Sequence, residues 1–426
     1  MDLLPFPQDA GEGSGEESRL VIDPAKVNGA LTDLMLASHT ATLEDLHRMV
    51  AEYVEPTGLR DMAFFLVDVQ GKVLRQVTGR GSDAGAGGLE LAVDSTLAGL
   101  AFQRVDLVAE PDRPAGQSGR RWWVPVTDGV ERLGMLRADT DRDDDATRHA
   151  LRSLASMLAL LLLSKRDFSD SYARLIRTAP MSVAAEMQWH LTPPSAFAGR
   201  ATTVAAVSEP AYEVGGDAFD YAISGNMLHL SVFDAMGHDA RAGLTANMAV
   251  ATCRNARRQG ADLVQTSQAV EDALIEQFGT TRYVTGVLAD LDLTTGLLTW
   301  INRGHHLPVA LGTGRWPREL QCPPAGPMGV DLQLPVTVCH EQLQPHDRLV
   351  LYTDGIVEAR DADGRQFGLD LFIDYLVRHH ADRLTVHETL RRVMHAVLDH
   401  HDGKLDDDAT LLLAEWRDPD QDNLTP

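Results

Sequence analysis

The chain has 426 residues, 44% of them hydrophobic, with 38 Lys and Arg set against 62 Asp and Glu for a formal charge of −24. That length exceeds what one hydrophobic core usually serves, so two or three domains are expected. The acidity excludes a general nucleic-acid surface, which needs a basic stripe, and disfavours docking on an anionic membrane; solubility accounts for most of the excess acid.

The first 25 residues are rich in Gly, Glu and Ser and read as a disordered tail without the basic and apolar regions of a signal peptide. Over 27–53, Leu31, Leu34, Met35, Leu43, Leu46, Met49 and Val50 recur at helical spacing and predict one helix. Strand-like pieces follow at 63–69 and 73–77, then a Gly-rich break at 79–88. Residues 122–126 and 132–138 flank Asp128-Gly129 as a hairpin. Alternation there sends one of Trp122 and Trp123 to the core and the other outside, where it serves either packing or a ligand wall. Residues 148–166 read as a long apolar helix. Its Leu151, Leu154, Leu158, Leu161 and Leu162 either pack on their own domain or meet a second subunit, and a homodimer through the sensor and linker helices is expected. The most apolar run, 154–163, is about half the roughly 20 residues that span a bilayer, so no membrane is expected.

Residues 181–191 form a predicted helix stopped by Pro193-Pro194. Beyond it, strands are expected at 202–207, 227–233, 283–292, 297–302, 349–353 and 409–415. Helices are expected at 240–259, 263–278, 369–379 and 386–400, which together make an α/β layered sandwich. His379-His380 and His400-His401 fall at helix ends, where a cationic, solvated imidazole suits the dipole. Three cysteines, Cys253, Cys322 and Cys339, without a CxxC pair, argue against a disulfide scaffold or structural zinc and fit a reducing cytoplasm.

Four acidic motifs carry the functional signal: Gly215-Gly216-Asp217, Asp234-Ala235-Met236-Gly237-His238, Thr353-Asp354-Gly355 and Asp407-Asp408-Ala409-Thr410. Asp234 and Asp354 close apolar strands, Asp217 follows two glycines, and Asp407 precedes the last strand. A lone Asp at a strand end is ordinarily a turn or cap residue. Four of them converging would make a carboxylate cage for a hard divalent cation.

Residues 28–166 resemble a GAF-type sensory domain in element order, without a signature that carries a ligand. Residues 200–416 resemble the metal-dependent (PPM, protein phosphatase 2C-type) serine/threonine phosphatases of the bacterial SpoIIE-like and RsbU-like branch. The likeness rests on the four motifs together with Val214, Ala218-Phe219-Asp220, Asn302-Arg303-Gly304-His305, Pro327-Met328-Gly329 and residues 349–359, all in the family's order and spacing. The resemblance implies an α+β chain: a tail over 1–25, a GAF-like sensor over 26–166, a helical linker and switch over 167–198, an α-β-β-α phosphatase sandwich over 199–417, and a disordered tail over 418–426.

By that resemblance two Mn²⁺ or Mg²⁺ ions are held by Asp217, Asp234, the Ala235 carbonyl, Asp354 and Asp407, with Asp234 bridging and the four Asp forming the catalytic centre. Asp408 and Asp220 stand as neighbours. No protein nucleophile is needed, in keeping with the lack of a catalytic Cys motif. The implied substrate is a phosphoserine or phosphothreonine on a partner protein, with an anti-anti-sigma factor usual in this branch, and the helix at 181–191 is the implied regulatory switch. Asp239 and Arg303 depart from the family pattern, where Gly and Ala are usual. His238 is a candidate general acid or a loop residue, and His305 and His306 are expected to be structural. The alternative is a pseudophosphatase that binds a partner without hydrolysis.

Overall fold

The computed structural model describes residues 24–110, 119–213, 215–237, 239–312, 316–382, 384–401, 405 and 407–418. Both expected tails lie almost wholly outside the described residues, as do Val214 and His238.

The helix expected over 27–53 is two: α1 (Pro24–Ala37) and α2 (Leu43–Val54). Thr42 restarts the helix through a capping box with Asp45, whose carboxylate accepts the Thr42 backbone N–H at 3.0 Å. The chain continues through β1 (Arg60–Val67), β2 (Val73–Gln76), β3 (Glu90–Ala92), α3 (Leu97–Arg104), β4 (Val108–Ala109), β5 (Arg120–Asp128), β6 (Glu131–Thr140) and α4 (Asp145–Arg166). The strands form one antiparallel sheet in the order β3-β2-β1-β6-β5-β4.

Both faces of this sheet are covered. One core joins Leu34, Leu46, Phe64, Trp122 and Leu158; the other joins Phe65, Ala101, Phe102 and Trp123 beneath α3. The two tryptophans do alternate between faces, yet both are buried, which corrects the expectation that one lies outside. Trp122 Nε1–H donates to Thr140 Oγ1 at 3.0 Å and Trp123 Nε1–H to Glu110 at 3.1 Å. The α4 strip of Leu151, Leu154, Leu158, Leu161 and Leu162 is likewise buried in its own chain, so this strip does not call for a second subunit.

Two short helices, α5 (Asp170–Leu175) and α6 (Val183–Leu191), lead into the second half. There follow β7 (Ala196–Ala198), β8 (Thr202–Glu209), β9 (Asp217–Ser224), β10 (Met227–Ala235), α7 (Ala240–Arg258), α8 (Leu263–Phe278), β11 (Val284–Asp292), β12 (Leu297–Arg303), β13 (Val309–Leu311) and β14 (Arg318–Glu319). The chain closes with β15 (Cys339–Gln342), β16 (Arg348–Tyr352), α9 (Asp354–Glu358), α10 (Gly368–Ala381), α11 (Val386–His400) and β17 (Ala409–Trp416).

These make two sheets, β15-β12-β11-β10-β9 and β14-β13-β16-β17-β8-β7. Val204, Phe219, Leu230, Trp300, Leu351 and Leu412 fill the space between them. Helices α7 and α8 cover the outer face of the first sheet, where Val250, Leu274 and Ile301 meet. Helices α10 and α11 cover the second, where Phe372, Val393 and Leu413 meet. The result is the expected α-β-β-α sandwich within an α+β chain. One cross-link departs from expectation: Cys322 and Cys339 form a disulfide across 17 residues, tying the start of β15 to the preceding loop. Their spacing in sequence did not announce it, because the fold brings their Cα atoms within 5.9 Å.

Candidate active site

Strands β9 and β10 pair in a register that sets Asp217 directly opposite Asp234. Opposed residues of an antiparallel pair project from the same face, so the two carboxylates stand side by side. Asp217 is 2% exposed. Burial and the neighbouring Asp234 push its pKa well above the usual carboxylate range, and a hydrogen bond from Thr353 Oγ1 to Oδ2 at 2.5 Å works in the other direction. The same Thr353 hydroxyl accepts the Thr410 backbone N–H at 2.8 Å, which locks it between the two acidic loops.

Asp234 is pushed up to about 7 by burial and by the carboxylates of Asp354, Asp407 and Asp408. Asp354 opens α9 and is raised by burial and by Asp407 and Glu358, with His306 opposing. All four sequence-predicted acids therefore sense one another or a common neighbour. Each influence on Asp234 disfavours its charged form, the electrostatic signature of a site completed by a cation.

The backbone closes tightly around this cluster. A Cβ on Gly215 would lie 2.4 Å from the Asp408 carboxyl carbon, and one on Gly216 would lie 2.4 Å from the Ala235 carbonyl oxygen and 2.6 Å from that of Gly237. Gly216 N–H donates to the Asp408 carboxylate, and Ala235 N–H donates to the Gly216 carbonyl at 2.9 Å. Asp408, expected from the sequence only as a neighbour of the metal-holding set, is thus the buried member of the Asp407-Asp408 pair and stitches the last strand to the Gly-Gly turn. Among the described residues, no three acidic, His or Cys side chains stand in metal-holding geometry as they are placed. Uncompensated carboxylates favour rotamers that keep them apart. The donor chemistry fits a hard divalent ion: oxygen donors, mutual repulsion, and backbone carbonyls drawn close by glycine.

The departures from the family pattern have structural explanations. Asp239 is the N-cap of α7, its carboxylate accepting the Arg241 and Ala242 backbone N–H groups at 3.0 and 2.9 Å. Arg303 is buried; it donates to the Gly326 carbonyl at 2.8 Å and Ser267 Oγ at 3.1 Å, and pairs with Glu271. Asp220 stands away from the acidic cluster, ion-paired with Arg254 and Arg257 of α7 at 2.7 and 2.9 Å.

His305 is structural: Thr285 Oγ1 lies 2.8 Å from Nδ1, while Nε2–H donates to the Tyr352 carbonyl at 3.0 Å. Burial lowers its pKa to about 4, so the ring is neutral. His306 stacks on Tyr352. His379 and His380 are half-buried rather than solvated, and burial lowers the pKa of each, which corrects the cationic reading.

Sequence reasoning missed Thr353 as an anchor of Asp217, and Gln188 of α6, whose Nε2–H donates to the Asp217 carbonyl. The Thr353-Asp354 motif was visible; its partner 136 residues earlier was not.

Residues 224–417 match the family model of stage II sporulation protein E (SpoIIE), a span that includes Asp234, Asp354 and Asp407 and begins after Asp217. Over this span the chain is similar to SpoIIE-type, PP2C-like phosphatase domains. Solved structures with similar folds include the RsbU and RsbW domains of Rv1364c from Mycobacterium tuberculosis, at 25% identity over 53% of this chain and 63% of that one, with a TM-score of 0.47. The PP2C domain with a regulatory fragment of SpoIIE from Bacillus subtilis matches at 20% identity over 51% and 63%, TM-score 0.43. The SiaA-PP2C domain of Pseudomonas aeruginosa matches at 20% identity over 55% and 94%, TM-score 0.47. The chain thus spans 63% of the length of each of the first two.

Proposed function

We propose that the phosphatase domain hydrolyses a phosphoserine or phosphothreonine ester on a bacterial signalling protein, with an anti-anti-sigma factor as the substrate class. The reading is carried by one observation: buried Asp217 and half-buried Asp234, opposed across β9 and β10, face Asp354, Asp407 and Asp408, and the charged neighbours that raise Asp234 are all carboxylates. Asp217, Asp234, Asp354, Asp407 and the Ala235 carbonyl would hold two Mn²⁺ or Mg²⁺ ions. When bound, such ions lower the pKa of a water and neutralise phosphoryl oxygens during in-line displacement.

The chain's own residues fix the donors. Thr353 orients Asp217, Asp408 clamps the Gly215-Gly216 turn, and Arg282 secures the loop after β10 by donating to the Met236 carbonyl at 3.0 Å. Regulation enters through α6. Gln188 holds the Asp217 carbonyl, and Arg254 joins the Leu191 carbonyl at 2.6 Å to Asp220 of β9. A shift of α6 therefore pulls directly on the strand bearing Asp217.

The GAF-like sensor over 26–166 and linker over 167–198 would supply that shift. A homodimer through the same helices draws on Leu160 and Phe168, which remain exposed at 58% and 69%. Among the described residues no helix is long and apolar enough to cross a membrane, and the protein is read as cytoplasmic.

The deciding experiment is Mn²⁺-dependent release of phosphate from a phosphoprotein, with Asp354→Asn as the control. Activity lost in that variant and on chelation, and restored by Mn²⁺, supports hydrolysis. Metal binding by calorimetry without turnover would favour the pseudophosphatase reading. Deleting residues 1–180 should alter turnover; equal rates for both forms would remove the regulatory role of the N-terminal half.

A further inference from the structure

A cavity of about 190 Å³ lies where the two halves meet, bounded by the end of β1, by β6, by α5 and α6, and by β8 and α11. Its walls are apolar where Phe102, Leu133, Leu390 and Met394 contribute. A second void of about 160 Å³ shares Gln70, Trp189 and Glu209 with it and extends the space toward Gln188. An apolar chamber with a few convergent polar groups at a domain junction has the character of a small-molecule site.

The polar groups on these walls divide sharply. The acids are already satisfied: Asp68 accepts backbone N–H groups from Lys72 and Val73 at 2.7 and 2.6 Å, Glu131 pairs with Arg166 at 2.7 Å, and Glu209 accepts from Gln70 at 3.0 Å. The groups without a partner are nitrogens. Arg132 Nε, His387 Nδ1 and His395 Nε2 are each shut off from solvent and make no hydrogen bond. Arg132 is 5% exposed, its other nitrogens are engaged by Glu388 and Thr385, and its guanidinium lies over the Phe102 ring. Burial and the adjacent Arg132 lower the His387 pKa to about 3, so its ring is neutral and offers one N–H. Buried donors left unmade are costly, and the three residues that carry these nitrogens all line this one cavity.

We propose that this junction cavity binds a small aromatic carboxylic acid, its ring seated on Phe102, Leu390 and Met394 and its carboxylate accepting from Arg132 Nε–H and the His387 imidazole. Such a ligand would touch both halves of the chain and Trp189 of α6 at once. The site is independent of any assumption about phosphoester chemistry, since its residues lie outside the acidic cluster.

Naphthoate is a suitable probe. Calorimetry on the full chain should show saturable binding, weakened by about tenfold in His387→Leu, which removes a hydrogen-bonding partner from the carboxylate. Val207→Trp, which fills the cavity from β8, should abolish binding. On the wild-type protein, ring-current shifts in a methyl-labelled methionine spectrum should fall on Met394, a measurement that needs no variant to fold. No saturable binding, full affinity in both folded variants, or shifts confined to methionines away from the cavity would each overturn the assignment.

Discussion

Glu388 of α11 joins the two halves of the chain. It accepts from Arg132 of β6 at 3.0 Å, from Arg391 at 3.0 and 3.1 Å, and from Arg392 at 2.8 Å, while itself only 2% exposed. Burial opposes the charge, yet hydrogen bonds from Arg391, Arg392 and Arg132 outweigh it and lower the pKa from 4.5 to about 2. A depressed carboxylate pKa contributes stability that is complete above the unfolded value and is lost as pH falls toward the folded one. The shift corresponds to about 3 kcal/mol at neutral pH and about 1 kcal/mol at pH 3.

Glu388→Gln keeps the volume and removes the charge, leaving Arg132 buried without its counter-ion. Urea unfolding of the full chain at pH 7 should therefore show a loss of about 3 kcal/mol for the variant, and the gap to wild type should shrink to about 1 kcal/mol at pH 3. A gap below about 1 kcal/mol at pH 7, or one that does not change with pH, would mean that the arginines do not outweigh burial at Glu388. Arg392 is 42% exposed, and Arg392→Ala should cost less than about 1 kcal/mol in the same assay.

Gly216→Ala should lower phosphatase turnover by about a hundredfold or more, because its Cβ must displace the Ala235 and Gly237 carbonyls, while circular dichroism stays native. Gly29→Ala, inside α1 with nothing within 4 Å, is the contrasting control and should stabilise by about 0.5–1 kcal/mol in thermal unfolding. Thr353→Val retains shape but strips Asp217 of its hydrogen bond and leaves the Thr410 N–H unmet, so a loss of about 2–4 kcal/mol should appear in denaturant unfolding. Arg303→Ala should destabilise by about 3–5 kcal/mol, since Glu271 would be left buried without its cation.

What could be read in advance was what repeats locally. Strands β10, β11, β16 and β17 and helices α8 and α11 announce themselves by apolar periodicity, and their boundaries fall within a few residues of expectation. Strand β9 did not, because Asp217 and Asp220 look wrong for a buried strand. Asp220 is made tolerable there only by Arg254 and Arg257, which arrive on a later helix. The acidic residues were legible as a set because each sits in a short motif with its own turn chemistry. Thr353, Gln188 and Asp408 were not assigned their roles, since each acts through a contact between segments far apart in the chain. The capping box at Thr42 and Asp45 was present in the sequence, but the helical periodicity on either side of it masked the break.

The opposed carboxylates differ in how firmly they are mounted. Strand β10 is an interior member of its sheet, bonded to β9 on one side and β11 on the other, so Asp234 can be displaced only by breaking two ladders. Strand β9 is the last in the order, with a ladder on one side alone, and Asp217 is its first residue. One carboxylate is therefore the fixed jaw of a vice and the other the sliding jaw. The sliding jaw is the one that α6 grips, so under the regulation proposed above a change in the separation of the pair would require fraying only a single strand end, with the rest of the sandwich intact.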